Sequence, residues 1–547
     1  MTTAEFSLGA LVLAPLLIAA VAVLLPAPAR RGAGLVATAT VAALTWPVVT
    51  TVATGQPVEL AVGGYDAPLG ITLRADGLSA LFLLLTTVVG ALVTVYAVLV
   101  PASTGQRLVS EASSRSGDAP DLQWRPGHPA FWPLWLGCWS GLNAVFVSGD
   151  LFNTYVGLEV VGLTAVGLVA LGGRPAWRAA LRYLFVAVAG AMLFLVGVAL
   201  LVAATGTLDI LQAGQVIQAD PGTHSAAALA LVLMTVGLAM KVALVPMHGW
   251  LIPAHSNAPG AVSPLLSALV IKASLFVLLR LWVWLAAPAA LIEPEPGAVE
   301  SSVLEPVTVA LSWGLAVLGV AAILVGSLLA LRQNRLKPLI AYSTVAQAGY
   351  WFLFFPILVD RESDLLEEQA VTTLTDDAVI AAATTGTVAL VLGHGLSKTA
   401  VFLVAGHLKH VYGTDELARL RGVGVRHPRL MMALGLAGVG LAGVPFSLAF
   451  SGKWELATAA VSSGDMWIVG VMVLATLLSA GYVLRMVSPL LRTDAPSEDE
   501  EERVPAQPQT RRERAAQLVP FTLGGLTVLT GFTGFWVADM MEVGAPW

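Results

Sequence analysis

Cysteine is almost missing: the 547 residues contain one, Cys138. A single thiol excludes a disulfide framework, an iron–sulfur cluster and a cysteine-based zinc site. Charge is scarce too, at 12% of residues where a soluble domain carries about a quarter. A water-exposed surface cannot be built from so few charges, which excludes an ordinary soluble enzyme and a disordered chain. Basic residues are not in excess, 29 against 35 acidic, so no nucleic-acid partner is expected. What the sequence holds instead is apolar residues, 57% of the chain, gathered in blocks of about 20, the length that spans a bilayer.

Fourteen spans are predicted, at roughly 6–26, 33–54, 77–101, 130–149, 151–172, 178–204, 225–251, 260–287, 306–331, 337–358, 378–411, 428–458, 466–487 and 519–540. They are too continuously apolar for the alternating strands of a barrel and read as helices. The fold class is therefore an all-α polytopic membrane protein. The first span has no basic n-region or small-residue cleavage site and reads as a retained helix. With the N-terminus outside, the odd-numbered connections hold 22 of the 29 basic residues and the even ones two, Arg74 and Arg361. This asymmetry fits the positive-inside rule. It predicts both termini outside, the acidic loops 288–305 and 359–377 outside, and a solvated cytoplasmic linker over 493–518. Segment 55–76, with Pro57, Gly63, Gly64, Pro68 and Gly70 among β-branched residues, reads as an external hairpin. The connection 102–128 is unusually long and polar.

The chain divides into three helices with hairpin and polar loop (1–129), five-helix units at 130–287 and 306–487, the linker 493–518 and a last helix within 519–547. Five is odd, so two successive five-helix units must have opposite membrane orientation, an inverted repeat.

Five basic residues fall inside the spans: Lys241, Lys272, Arg280, Lys398 and Lys453, with Glu159 and Glu455 at comparable depth. A charge at the centre of a membrane helix costs roughly 2.5–3.5 kcal/mol on insertion scales. Such residues persist where they face protein or water, and they usually mark an ion path. Arg280, near the external end of its span, reads as a snorkelling side chain. Glu455 reads equally as interfacial. Lys241, Lys272, Lys398, Lys453 and Glu159 remain as proton-transfer candidates, with a structural ion pair as the alternative. Lysine suits proton transfer because burial favours the neutral amine and a nearby carboxylate the ammonium, so moving the carboxylate loads or unloads a proton.

Helix breakers lie beside these charges. In "LAMKVALVPMHGWLIPAHSNAPGAVSP" Lys241 is followed by Pro246 and Pro253, and proline frees a carbonyl by removing an amide. Lys241 and His248, seven apart, fall on nearly the same helix face. In "GLAGVPFSLAFSGKWELA" Pro445 precedes Lys453. Spans 7 and 12 are predicted to be broken, as transporter helices often are at their sites. In "LGHGLSKTAVFLVAGHLKH" His394 and Lys398 are four apart on one face. His248 and His394 suit a proton relay, since histidine titrates near neutrality. His255 reads equally as a polar residue at a helix end. His394 and His407, about 20 Å apart along a helix, have the spacing of two stacked haems. That reading needs a matched pair, and His248 and His255 lie only seven apart across Pro253. No cofactor, metal site or catalytic residue is expected.

Several long blocks, in order between about 74 and 487, carry a resemblance: "RADGLSALFLLL", "GDLFNTYVGLEVVGLTAVGLVALGG", "KVALVPMHGWLIPAHSNAPGAVSPLLSALVIK", "NRLKPLIAYSTVAQAGYWF", "HGLSKTAVFLVAG" and "GLAGVPFSLAFSGKWE". The chain resembles the antiporter-like proton-translocating subunits shared by respiratory complex I (its L, M and N subunits), Mrp-type multisubunit cation/proton antiporters and membrane-bound hydrogenases. The resemblance implies that Glu159 and Lys241 form a charge switch. Lys272 and His248 would carry the proton along a central axis, His394 and Lys398 would continue it, and Lys453 would end it near the exit. There are departures: the family's "WLPDAH" reads "WLIPAH" here, and Arg182 stands where lysine is common. The chain stops after span 14, without the lateral helix of the L subunit. "DLFNTYVGLEV" and "GKWE" look more like the Mrp D or complex I N type, with Mrp D preferred.

The implied function is a proton-translocating subunit of a sodium(cation)/proton antiporter. A redox-driven pump module of complex I or a membrane hydrogenase, and a bicarbonate-accumulating complex, are the alternatives. The implied partners are other membrane subunits, the bilayer, protons and sodium. The implied location is a bacterial-type cell (inner) membrane.

Overall fold

The computed structural model describes residues 1–68, 70–105, 127–286, 303–359, 376–492 and 508–546. Most of the polar loop 102–128, the acidic loops 288–305 and 359–377 and much of the linker 493–518 lie outside the described residues.

The helices are α1 (Thr3–Leu24), α2 (Ala27–Val52), α3 (Gly77–Leu99), α4 (Phe131–Val147), α5 (Leu151–Ala170), α6 (Arg174–Thr205), α7 (Ile210–Ala219), α8 (His224–Val242) and α9 (Leu251–Asn257). They continue with α10 (Val262–Ala286), α11 (Leu304–Leu331), α12 (Leu336–Tyr350), α13 (Asp376–Tyr412), α14 (Pro428–Ala442), α15 (Leu448–Ser462) and α16 (Met466–Leu491). The last are α17 (Arg511–Ala516), α18 (Leu518–Leu529) and α19 (Gly534–Met541). Among the described residues, 12 helical stretches are long and apolar enough to cross a membrane. The other two predicted spans are occupied by α4, of 17 residues, and by the pair α14 and α15, of 15 each. Between α2 and α3 the predicted hairpin is present: β1 (Val58–Ala61) pairs antiparallel with β2 (Thr72–Ala75), Val58 opposite Ala75.

Helices start where a short polar side chain satisfies their free amides. Thr2 and Glu5 form a reciprocal capping box on α1. Asp76 caps α3 through Ser79 N, Asp150 caps α5 through Asn153 N, and Ser447 caps α15 through Phe450 N.

Three elements are enclosed by the rest: α10, α13 and the stretch Leu336–Val359 that begins with α12 are almost wholly buried. The surrounding helices turn large apolar side chains outward, Phe185 on α6 and Leu477 on α16 among them. Such a surface suits lipid. The crossings that carry the broken helices are set by glycine, which lets backbones approach closely. A Cβ on Gly237 of α8 would lie 2.4 Å from the Gly190 carbonyl of α6, and a Cβ on Gly452 of α15 would lie 2.5 Å from the Gly386 carbonyl of α13.

Spans 7 and 12 are both broken. α8 ends at Val242, Ala243 turns left-handed (φ 64°), and a 3-10 turn at Met247–Trp250 leads into α9. Lys241 and His248 therefore do not share a helix face, contrary to the uninterrupted spacing. α14 ends at Ala442, followed by left-handed Gly443 (φ 67°) and Phe446 (φ 72°) before Ser447 starts α15. Two further departures appear. α10 contains π turns at Leu266–Val270 and Trp282–Ala286. The last predicted span, 519–540, is interrupted by a 3-10 turn at Thr530–Phe532.

Candidate functional site

The four lysines expected at mid-membrane are all buried, and each is held differently. Lys241 lies in the last turn of α8. Its Nζ donates to Glu159 Oε1 of α5 at 3.0 Å, and the glutamate side chain stays 21% exposed. This ion pair joins spans 5 and 7 at the point where span 7 breaks.

Lys272 lies just past the first π turn of α10. Lys272 Nζ donates to Ser267 O, a carbonyl of that turn, at 3.0 Å. The same Nζ lies 3.0 Å from His394 Nδ1 of α13 and 5.3 Å from the Trp351 ring centre. The His394 ring meets Trp351 edge-on at 5.0 Å, and its Nε2 is buried without a partner. One turn further along α13, Lys398 Nζ donates to Ile340 O at 2.9 Å and to Ser343 Oγ, both on α12.

Lys453 of α15 reaches back across the break of span 12. Its Nζ donates to Ala442 O, the last carbonyl of α14, at 3.0 Å and to Thr476 Oγ1 of α16 at 2.8 Å. The Tyr350 ring lies 4.8 Å away. Among the described residues, no carboxylate lies within ion-pair distance of Lys272, Lys398 or Lys453. Glu455, two residues beyond Lys453, is only partly buried.

Sequence reasoning missed the element that connects these groups. On α12, Ile340, Ser343, Gln347 and Tyr350 recur at three- to four-residue spacing, one helix face. Ile340 and Ser343 hold Lys398. Gln347 Nε2 donates to Leu441 O at 2.9 Å and Tyr482 OH at 2.7 Å. Tyr350 OH lies 3.4 Å from Thr476 Oγ1, which also accepts from Lys453. Beside them, Thr344 Oγ1 lies 3.1 Å from Ser267 Oγ on the π turn. A polar stripe thus runs on α12 from the Lys272–Lys398 region to Lys453. The signal was present in "STVAQAGY" as uncharged polar residues at helical spacing inside an apolar block.

The structure does not bring His248 into a hydrogen bond with any of the lysines. It sits in the 3-10 turn, partly exposed, with Nδ1 buried and unpartnered. Arg280 does not snorkel. Its guanidinium is buried against Asp76, with Nη2 2.9 Å from Oδ1 and Nη1 bonded to Oδ2, and it also donates to Ser79 Oγ at 3.0 Å. Its partner lies 204 residues away, the N-cap of another helix, so depth within the span was no guide. His407 bonds Tyr96 OH and Gln509 Nε2, both at 3.3 Å, so it and the Lys272-bound His394 are engaged by protein groups.

Comparison with known proteins follows the same outline. The family model described as "NADH:quinone oxidoreductase/Mrp antiporter, TM" matches residues 148–293, 298–360 and 377–479. The chain is 31% identical over 504 residues to NADH-quinone oxidoreductase subunit N of Desulforudis audaxviator, covering 91% of this chain and 89% of that one. It is 27% identical over 440 residues to the D subunit of the Na(+)/H(+) antiporter of Bacillus subtilis, covering 80% and 77%. Among solved structures, a chain of the Mrp complex from Dietzia sp. superposes over 99% of this chain and 97% of its own, with a TM-score of 0.78 at 22% identity.

Proposed function

Because the chain belongs to the transmembrane family of NADH:quinone oxidoreductase and Mrp antiporter subunits, we propose that it is a proton-translocating subunit of a multisubunit membrane complex. The observation that carries this reading is the row of four buried lysines, each at a break, a widened turn or a polar stripe. In this reading Glu159–Lys241 forms one end and Lys453 the other, with Lys272, His394 and Lys398 between. Each amine has neighbours that hold its ammonium, and none is locked in place by a multidentate carboxylate cage. Protons pass along this row at mid-membrane, and His248 serves the part beside the first break. The chain works with other membrane subunits in a bacterial-type cell membrane, with both termini outside.

The finer assignment is a cation/proton antiporter of Mrp type, with sodium as the exchanged ion. The likeness to the antiporter's D-type chain and the TM-score against an Mrp complex chain support it. The 31% identity to an oxidoreductase chain of N type favours a second reading, a pump module of a quinone oxidoreductase. The composition of the purified complex tests both. Small cation-transport subunits and sodium-driven pH gradients in vesicles support antiport; iron–sulfur and quinone-binding subunits support the redox-driven pump. Wild-type proton flux after replacing Lys398 or Lys453 by methionine overturns the proton path itself.

A further inference from the structure

Lys337 and His255 are buried titratable groups that the row does not use. Lys337, in the first turn of α12, is 1% exposed. Its Nζ donates to Ala258 O, just past the end of α9, at 2.8 Å and to Ser263 Oγ, in the first turn of α10, at 3.3 Å. His255, on α9, is fully buried, and both its ring nitrogens lack a hydrogen-bond partner. A buried polar atom left unpaired costs roughly 1–3 kcal/mol, so an imidazole with two such atoms calls for an explanation.

Their placement supplies one. The His255 ring stacks on Phe402 of α13 at 4.5 Å. His394, Lys398 and Phe402 follow at four-residue intervals on α13, one face of that helix. His255 therefore stands one turn beyond Lys398. On α12, Lys337 stands one turn before Ile340, whose carbonyl accepts from Lys398. Lys337 and Lys398 both act electrostatically on His255. Ser263 Oγ ties the site together, donating to His255 O at 3.1 Å and accepting from Lys337. Further out the line continues to the surface. Lys409 Nζ lies 3.5 Å from Ser256 O, and buried Asp415 bonds half-exposed Arg335 at 2.7 Å.

We propose that His255 and Lys337 are further proton-transfer residues, forming a branch that delivers protons from the Arg335–Asp415 end of the bundle to Lys398. The inference rests on the proton-translocating reading above. The Lys337 ammonium gives its proton to one ring nitrogen of His255, breaking one N–H bond and forming another. The opposite ring nitrogen releases its own proton to the neutral amine of Lys398. The imidazole is left neutral as its other tautomer, and a ring flip resets it. Lys337 is reprotonated from the side of Lys409 and Asp415. Water between the nitrogens completes steps too long for direct transfer.

The alternative is structural: Lys337 only caps carbonyls and His255 only packs. The test is proton flux in vesicles holding the assembled complex. Lys337→Arg keeps charge and donors but cannot release a proton in a protein. His255→Phe keeps the ring against Phe402 but removes both nitrogens, and His255→Gln replaces it if that complex fails to assemble. Lys398→Met tests the row itself. The expected result is a loss of tenfold or more in all of them at unchanged subunit stoichiometry. Flux within twofold of wild type in Lys337→Arg overturns the branch; so does the same result in the histidine variant. With Lys398→Met inactive, the row then stands without its branch, whereas wild-type flux in Lys398→Met removes the proton path on which the inference rests.

Discussion

Replacing Lys241 by arginine separates a working switch from a static tie. Charges 3.0 Å apart attract by about 5–6 kcal/mol at an effective dielectric constant of about 20. Burying each ion costs several kcal/mol in the other direction. The two contributions are close in size, so the protonation of Lys241 is decided by where Glu159 stands. Withdrawing the carboxylate to about 6 Å halves the attraction, a change of about 2–3 kcal/mol, which is roughly a 100-fold change in proton occupancy. A guanidinium keeps the ion pair but holds its proton at either separation. Lys241→Arg should therefore lower proton flux about 100-fold in vesicles containing the assembled complex. Glu159→Gln, which keeps the shape and removes the charge, should act comparably, while Glu159→Asp should retain part of the flux. A static pair that only joins α5 to α8 requires the opposite, a Lys241→Arg complex that works. Flux within twofold of wild type in that variant would refute the switch.

Lys453→Ala should reduce proton flux at least tenfold while leaving assembly intact, because it removes a titratable site and a costly buried charge together; unchanged flux in vesicles would make Lys453 structural and overturn the proposed path. Asp76→Asn strands the buried Arg280 guanidinium, a change that costs about 3–5 kcal/mol, so the solubilised protein should melt earlier than wild type; an unchanged melting temperature would show that the pair is dispensable. Gly452→Val drives a side chain into the Gly386 carbonyl, where even a Cβ lies at 2.5 Å. It should lower the yield of folded protein, and wild-type yield would mean that the α13–α15 crossing yields easily. Cysteines at Ser497 and Ser363, both outside the described residues, should respectively resist and react with an impermeant thiol reagent in intact cells. The reverse pattern would invert the topology.

The helices were legible because their signal is local. An apolar block of bilayer length and a proline or glycine beside a lysine are read within a few residues, and the breaks at Ala243 and Gly443 fell where those breakers are. The hairpin at Val58–Ala75 was legible for the same reason. What escaped was set by partners distant in sequence. Arg280 lay near a span end, yet Asp76 draws it inward. Lys337 counted as one more basic residue in a loop, yet the Ala258 carbonyl and the Ser263 hydroxyl hold it buried. The stripe on α12 consists of neutral hydroxyl and amide groups, which barely lower hydropathy. The shared face of Lys241 and His248 failed because one left-handed residue resets helical phase.

The neutral surroundings of Lys272, Lys398 and Lys453 bear on how many protons the row can hold. A lysine bonded to carbonyls and hydroxyls leaves no stranded anion when it discharges, so each can empty by itself. Filling is another matter. Lys272 bonds His394, which stands one helical turn before Lys398 on α13, and among the described residues no carboxylate pairs with either lysine, so two ammonium ions there repel each other. Occupation of one discourages occupation of the next, so on the proposed path traffic would resemble single file with vacancies: a proton would advance when the place ahead has emptied. On the proposed path Glu159, among the described residues the one carboxylate paired with a member of the row, would set the beat at its end, and the remaining lysines would pass it on.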